Sequence, residues 1–239
     1  MMRLDKYIAD TSAMTRSQAA RAIRGGLVLV NGVQVRKPEQ RINEAEDRVQ
    51  LDGKLCEFRK YRYFLLNKPT GIITASTDPR QKTVLDLFPP ELRKQGLFPV
   101  GRLDKETSGL LLMTSDGEFA HRVISPKSGI DKVYDATVEG CLSPEDVERF
   151  REGLVLGDGT ECLPAGLTIL SGNRCLVTVQ EGKYHQVRRM LAAVGKPVKT
   201  LRRISVGPLQ LEPGPEEGCY RELTDEELCI LFNMLGMEK

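Results

Sequence analysis

The stretch GRLDKETSGLLLMTSDGEF, residues 101–119, sets one acid, Asp104, between Arg102 and Lys105 and just ahead of the apolar run Leu110–Met113. A carboxylate held ionised there can act as a nucleophile or a general base; an acid in a turn can also simply cap backbone N–H groups. Gly101 and Gly109 bracket it and allow tight backbone where a strand end presents side chains. A second stretch, EGKYHQVRRMLAAVG, residues 181–195, reads as a helix. Val187, Met190, Leu191 and Val194 recur at helical offsets as a buried stripe, while His185, Arg188 and Arg189 fall on another side. His185 and Arg188 are neighbours one turn apart, near a helix start where backbone N–H groups favour anions. A third stretch, KVYDATVEG, residues 132–140, reads as a strand with Lys132 and Tyr134 on one face. A tyrosine beside cations can stack a base and hydrogen-bond through its hydroxyl, or it can serve packing alone.

Several elements must position these residues. Leu4 and Ile8 stand at helical spacing. Thr15 and Gln18 form a capping box for a second helix that Gly25-Gly26 ends. Asn31-Gly32 between two apolar runs predicts a hairpin. This makes a helix–helix–hairpin unit over residues 1–50, with Arg16, Arg21 and Arg24 spaced to share part of the second helix's surface. Residues 51–60, with LDGKLCEFRK, read as a linker. Residues 61–239 form a larger unit whose strand-like runs outnumber its helices and often follow each other directly. Ser143-Pro144 predicts a helix start, and Thr224 with Glu227 a capping box. The pattern predicts an α+β fold with a mixed, mostly antiparallel sheet and flanking helices.

Charge narrows the partners. The formal net charge of +2 hides an uneven distribution: residues 182–203 hold seven basic residues and no acid, whereas residues 212–239 hold eight acids against two bases. Basic zones offset by an acidic tail favour a polyanion partner, and nucleic acid is the first candidate. The six cysteines are scattered, with no C-x-x-C pair, which predicts reduced thiols and no zinc site. No apolar run approaches the ~20 residues that span a bilayer, and no apolar signal segment opens the chain, so a cytoplasmic protein without membrane contact is expected.

Two resemblances join these readings. RLDKYIA and SQAARAIRGGLVLVNGVQV, within residues 3–48, resemble the S4 RNA-binding domain. GRLDKETSGLLLMTSDGEFAHRVISPK, KVYDATVEG and EGKYHQVRRM resemble, in order, the signature motifs of bacterial pseudouridine synthases, in the branch that modifies ribosomal RNA and carries an S4 domain. YFLLNKPTGIITASTDPRQKTVLDLFP and LRRISVGPLQL fit as well. The resemblance implies a central cleft in the larger unit, no cofactor and no metal. It implies that Asp104 is the catalytic aspartate, that Tyr134 stacks on the target base, and that Arg188 pairs with Asp104. RNA contacts are expected from Arg3, Arg16, Arg21 and Arg24 in the first unit. In the second they are expected from Arg102, Lys132, Lys183, His185, Gln186, Arg189, Arg202 and Arg203. STDPRQKTVLDLFP and ISPKSGIDKVYDATVEG most resemble enzymes acting on one uridine of small-subunit (16S) rRNA, as free RNA or in an assembly intermediate, and a monomer is expected. A large-subunit (23S) enzyme of the same family and a non-catalytic S4-domain binder are the alternatives.

Overall fold

The computed structural model describes residues 1–12, 14–56, 58–211 and 216–237, so Glu212 and Glu238 of the acidic tail lie outside the described residues. The chain divides into two compact units: Met1–Tyr61 with Pro90–Gln95, and Arg62–Pro89 with Gly96–Lys239.

The first unit runs β1 (Met2–Arg3), α1 (Leu4–Thr11), α2 (Arg16–Arg24), β2 (Val28–Val30), β3 (Val33–Gln34), β4 (Arg41–Ile42), β5 (Val49–Leu51) and β6 (Lys54–Cys56). Pro90–Gln95 adds α3 (Pro90–Arg93). The expected capping box starts α2: Gln18 N donates to Thr15 Oγ1 at 3.3 Å, and Thr15 N donates to Gln18 Oε1 at 2.7 Å. Asn31 and Gly32 have φ of 52° and 79°, the left-handed pair that lets β2 turn into β3. Leu4, Ile8, Ala19, Ile23, Val28 and Val49 are fully buried and form the small core.

Residues 51–60 correct the expectation of a linker. Asp52 and Gly53 have φ of 49° and 74° and form a second tight turn, joining β5 to β6 in a sheet ordered β3-β2-β5-β6. The Tyr7 hydroxyl, buried on α1, donates to the Cys56 carbonyl at 2.7 Å and ties this hairpin to the helices. The turn pair was visible in the sequence, but each flanking strand is three residues long, too short to display alternation.

The second unit contains β7 (Tyr63–Lys68), β8 (Phe98–Pro99), β9 (Ser108–Thr114), α4 (Gly117–Ile124), β10 (Lys132–Val138), α5 (Pro144–Glu152), β11 (Gly166–Ser171), β12 (Arg174–Val179), α6 (Gln186–Ala193), β13 (Val198–Val206), β14 (Leu209–Gln210), β15 (Tyr220–Glu222) and α7 (Asp225–Leu235). Among the described residues its sheet is ordered β11-β12-β10-β13-β9-β7-β15, with β14 beside β13 and β8 beside β9. All pairings are antiparallel except β9 with β13. This is the mixed, mostly antiparallel α+β sheet the sequence pattern predicts. One apolar core gathers β10–β12, α5 and α6 around Phe150, Val177, Met190 and Leu191; a second gathers β7, β9, α4 and α7 around Leu110, Phe119 and Leu231. Among the described residues no helix is long and apolar enough to cross a membrane.

The parallel junction between β9 and β13 is short, pairing Arg202 with Ser108 and Arg203 with Gly109. Gly109 is held at φ 104°, and a Cβ there would stand 2.2 Å from the Arg203 carbonyl oxygen and 2.8 Å from its nitrogen. Both atoms are backbone and cannot yield without parting the strands. Gly109→Ala is therefore expected to destabilise the protein by about 4 kcal/mol in urea unfolding. A loss under about 1 kcal/mol would contradict this reading of the junction.

Candidate active site

The junction matters because the Asp104 loop lies immediately before it. Asp104 falls between β8 and β9, outside any strand, in a loop held from several sides. The Thr74 hydroxyl donates to the Leu103 carbonyl at 2.7 Å and accepts from Leu103 N at 3.2 Å. Gly71 N donates to the Lys105 carbonyl at 2.9 Å, and Thr107 N closes the turn on the Asp104 carbonyl at 3.0 Å.

The strongest hold comes from Lys68, to which the sequence reading assigns no role. It is fully buried at the end of β7. Its ammonium donates to the carbonyls of Pro69 at 3.0 Å, Asp104 at 3.1 Å, Lys105 at 3.4 Å and Thr107 at 2.9 Å. Burial pushes Lys68 from 10.5 down to about 8, and the nearby charge of Asp104 opposes that push. A charged residue closing an otherwise buried strand was the available signal. Three of its four partners are carbonyls more than thirty residues away, which no local pattern indexes.

The Asp104 carboxylate is partly exposed and meets two side chains from the α6 region. His185 Nε2 lies 3.3 Å from Oδ1, and Arg188 Nε lies 3.8 Å from Oδ2. Arg188 also donates to the Glu106 carbonyl at 2.8 Å and to the Thr107 hydroxyl at 3.4 Å. It thus braces the loop while standing beside the carboxylate. His185 is the N-cap of α6 and sits in the left-handed region at φ 47°, an uncommon conformation for a residue with a Cβ. That twist turns the imidazole onto Asp104 and stacks it on the exposed Tyr184 ring, with centroids 3.9 Å apart and planes at 16°. Val187, Met190, Leu191 and Val194 form the predicted buried stripe that anchors the helix.

Asp104 opens onto a cavity of about 520 Å³, lined also by Arg102, Lys132, Tyr134, His185 and Arg203. That volume is ample for a nucleotide. Tyr134 on β10 faces it, with the Arg203 guanidinium carbon 5.9 Å from the ring centroid. Apolar walls come from Val100, Leu112, Val123 and Val206.

The residues expected to touch RNA separate into groups. Arg21 and Arg24 are exposed on α2, and no ion pair holds them among the described residues. Arg3 and Arg16 are instead drawn to Asp5, at 2.8 Å and 3.3 Å. Arg102 is exposed at the cavity. Lys183 pairs with Glu181 at 3.0 Å and also reaches the Glu161 carbonyl. Arg189 is paired with Asp158, and Arg202 lies 3.8 Å from Glu217. Gln186 corrects the expectation of an RNA-facing side chain. It is only 5% exposed, donates to Glu181 Oε1 at 2.6 Å and accepts from Lys183 N at 2.9 Å. It shapes the turn that presents His185. Lys132 and Arg203 are likewise buried, at 7% and 4% exposure, and face the cavity rather than the outer surface.

Comparison with known proteins agrees with this geometry. The RNA pseudouridylate synthase family matches residues 62–193, and the S4 domain family matches residues 2–49. The uncharacterized RNA pseudouridine synthase YtzG of Bacillus subtilis (strain 168) is 38% identical over 234 residues, covering 96% of this chain and 98% of that protein. Ribosomal small subunit pseudouridine synthase A of Escherichia coli (strain K12) is 40% identical over 229 residues, covering 95% of this chain and 98% of that protein. A crystal structure of a pseudouridylate synthase superposes with a TM-score of 0.68 at 37% identity, covering 97% of this chain and 100% of the other.

Proposed function

The chain belongs to the RNA pseudouridylate synthase family and carries an S4 domain, and from that premise we propose that it isomerises one uridine of small-subunit (16S) ribosomal RNA to pseudouridine. The observation that carries the proposal is the Asp104 carboxylate, braced by His185 and Arg188 and opening on a nucleotide-sized cavity that Tyr134 also lines. The choice of the small subunit rests on the relatives that bear that name.

The reaction breaks the N1–C1′ bond, turns the uracil, and rejoins it through C5. It is redox-neutral. A paired uridine cannot reach Asp104, so it is flipped out of its helix at a cost of a few kcal/mol. Stacking on Tyr134 offsets that cost by about 1–3 kcal/mol. Asp104 then attacks C1′ or takes a proton from the sugar, and either role needs its anion. Arg188 stands beside the carboxylate and fixes the loop that carries it.

Met1–Tyr61 with Pro90–Gln95 serve as the RNA-binding domain, and Arg62–Pro89 with Gly96–Lys239 as the catalytic domain. The enzyme works as a cytoplasmic monomer on small-subunit rRNA, as free RNA or in an assembly intermediate. Arg21 and Arg24 supply phosphate contacts. Replacing both with alanine is expected to weaken RNA binding and to lower the slope of log affinity against log salt by about 0.7–0.9 per arginine. Filter binding across a salt series reads this, and an unchanged slope would remove α2 from the interface.

Tritium release from 5-tritiated uridine tests the function itself. Release is expected from small-subunit rRNA or partly assembled subunits. Release only from large-subunit rRNA would move the substrate; release from neither would overturn the proposal.

A further inference from the structure

Lys132 and Arg203 are too deeply covered to grip the outer phosphates of an RNA. They flank Tyr134: Lys132 lies two residues before it on β10, and Arg203 is its cross-strand partner on β13. Lys132 Nζ donates to the carbonyls of Ile130 at 3.3 Å and Gln180 at 3.0 Å, which leaves one of its three N–H bonds unassigned. Arg203 Nε donates to the Leu110 carbonyl at 2.7 Å, and Nη1 approaches the Tyr134 hydroxyl at 3.4 Å. Among the described residues, neither cation has a carboxylate within ion-pair distance. Burial, and then the charge of Arg203, lower the Lys132 pKa from its ordinary value. The Asp104 and Glu181 carboxylates line the same cavity but form no ion pair with either cation, so two buried positive charges that repel each other gain further when an anion enters beside them.

The reaction proposed above generates such an anion. When N1–C1′ breaks, the bonding pair stays on the base, and the uracil carries the negative charge over N1, O2 and O4. At the sugar, C1′ is met by the Asp104 carboxylate or relieved by loss of a proton to it. When C5 bonds to C1′, the Asp104–C1′ bond breaks or Asp104 returns the sugar proton, the C5 proton leaves and N1 gains one, so the sum is an isomerisation. The charge on the base exists between these steps and in neither ground state. Cations that meet it there lower the barrier without tightening substrate binding.

We infer that Lys132 and Arg203 form a subsite for the departing uracil, taking up its negative charge while Tyr134 holds its face. The inference rests on the function proposed above. The two cations stay protonated throughout and give no proton to the base.

Lys132→Met tests this in single-turnover reactions at saturating enzyme, using small-subunit rRNA with uridine or 5-fluorouridine at the target. Consumption of the target nucleoside is read by mass spectrometry after digestion. Fluorine withdraws charge, so that base leaves more readily and needs the cations less. The expected loss is about 10²-fold on uridine and less than about tenfold on 5-fluorouridine, with RNA affinity within about threefold of the wild type. Lys132→Gln keeps a donor for the two carbonyls and is expected to show the same pattern if Lys132→Met folds poorly. Equal losses on both substrates would overturn the subsite in favour of simple packing. A fall in affinity that accounts for the whole loss would overturn it in favour of a phosphate contact. Wild-type protein that consumes no uridine would instead sink the proposed function, a result distinct from either.

Discussion

Asp104→Asn is expected to lower single-turnover isomerisation by on the order of 10⁴-fold or more, while RNA affinity stays within about threefold of the wild type. The substitution keeps the size of the side chain and removes only its charge. Asparagine can neither attack C1′ nor accept a sugar proton at a useful rate. The loop should survive the change, because its anchors are the Leu103, Asp104, Lys105 and Thr107 carbonyls and not the carboxylate. His185 and Arg188 lose a partner, yet both are partly exposed and remain hydrated. Binding should not suffer either: removing a negative charge from a basic cleft cannot repel a polyanion. Turnover within tenfold of wild type would take Asp104 out of the chemistry. A loss of affinity that matched the loss of rate would make it a binding residue.

Lys68→Met is expected to lower kcat by about 10²-fold and stability by about 2 kcal/mol, with little change in RNA affinity. Lys68 does not itself line the cavity and acts through the Asp104 loop it holds. Without its ammonium, the Pro69 and Thr107 carbonyls lose their donor, whereas the Asp104 and Lys105 carbonyls keep Thr107 N and Gly71 N. The loop then relaxes, and a shift of about 1 Å at Asp104 suffices for that loss of rate. A pH signature separates positioning from general damage. The folded protein releases the Lys68 proton at about 8, the unfolded chain only near 10.5. Between those values the unfolded chain binds more protons, so this group makes stability rise with pH; below about 8 it adds no slope. Urea unfolding of Lys68→Met should lack that rise. A variant that kept both full kcat and the wild-type slope would show that the clamp is idle.

Local signals were legible in the sequence, and long-range ones were not. The Thr15–Gln18 box, the Asn31-Gly32 turn and the apolar stripe of α6 are written within four to eight residues, and each forms in the protein. Asp104 and Arg188 were readable because their motifs are dense, and His185 was placed one turn from Arg188 by helical spacing alone. The distances of 3.3 Å and 3.8 Å to Asp104 could not be read, since they depend on a left-handed residue at the helix start. Lys68 is hidden because three of its four carbonyl partners are brought in by the β8–β9 loop. The burial of Gln186, Lys132 and Arg203 is not legible in the sequence, since polar side chains are usually exposed. The fold buries them instead, Gln186 against Glu181 and the two cations against the cavity. The β5–β6 hairpin was missed because strands of three residues carry almost no periodicity.

The most direct test is a pseudouridine map of ribosomal RNA from cells lacking this protein, complemented with the wild type or with Asp104→Asn. One small-subunit position should lose its pseudouridine in the deletion, regain it with the wild type, and stay as uridine with the variant. A map that is unchanged by the deletion, or restored by Asp104→Asn, would contradict the claim that this carboxylate drives the isomerisation.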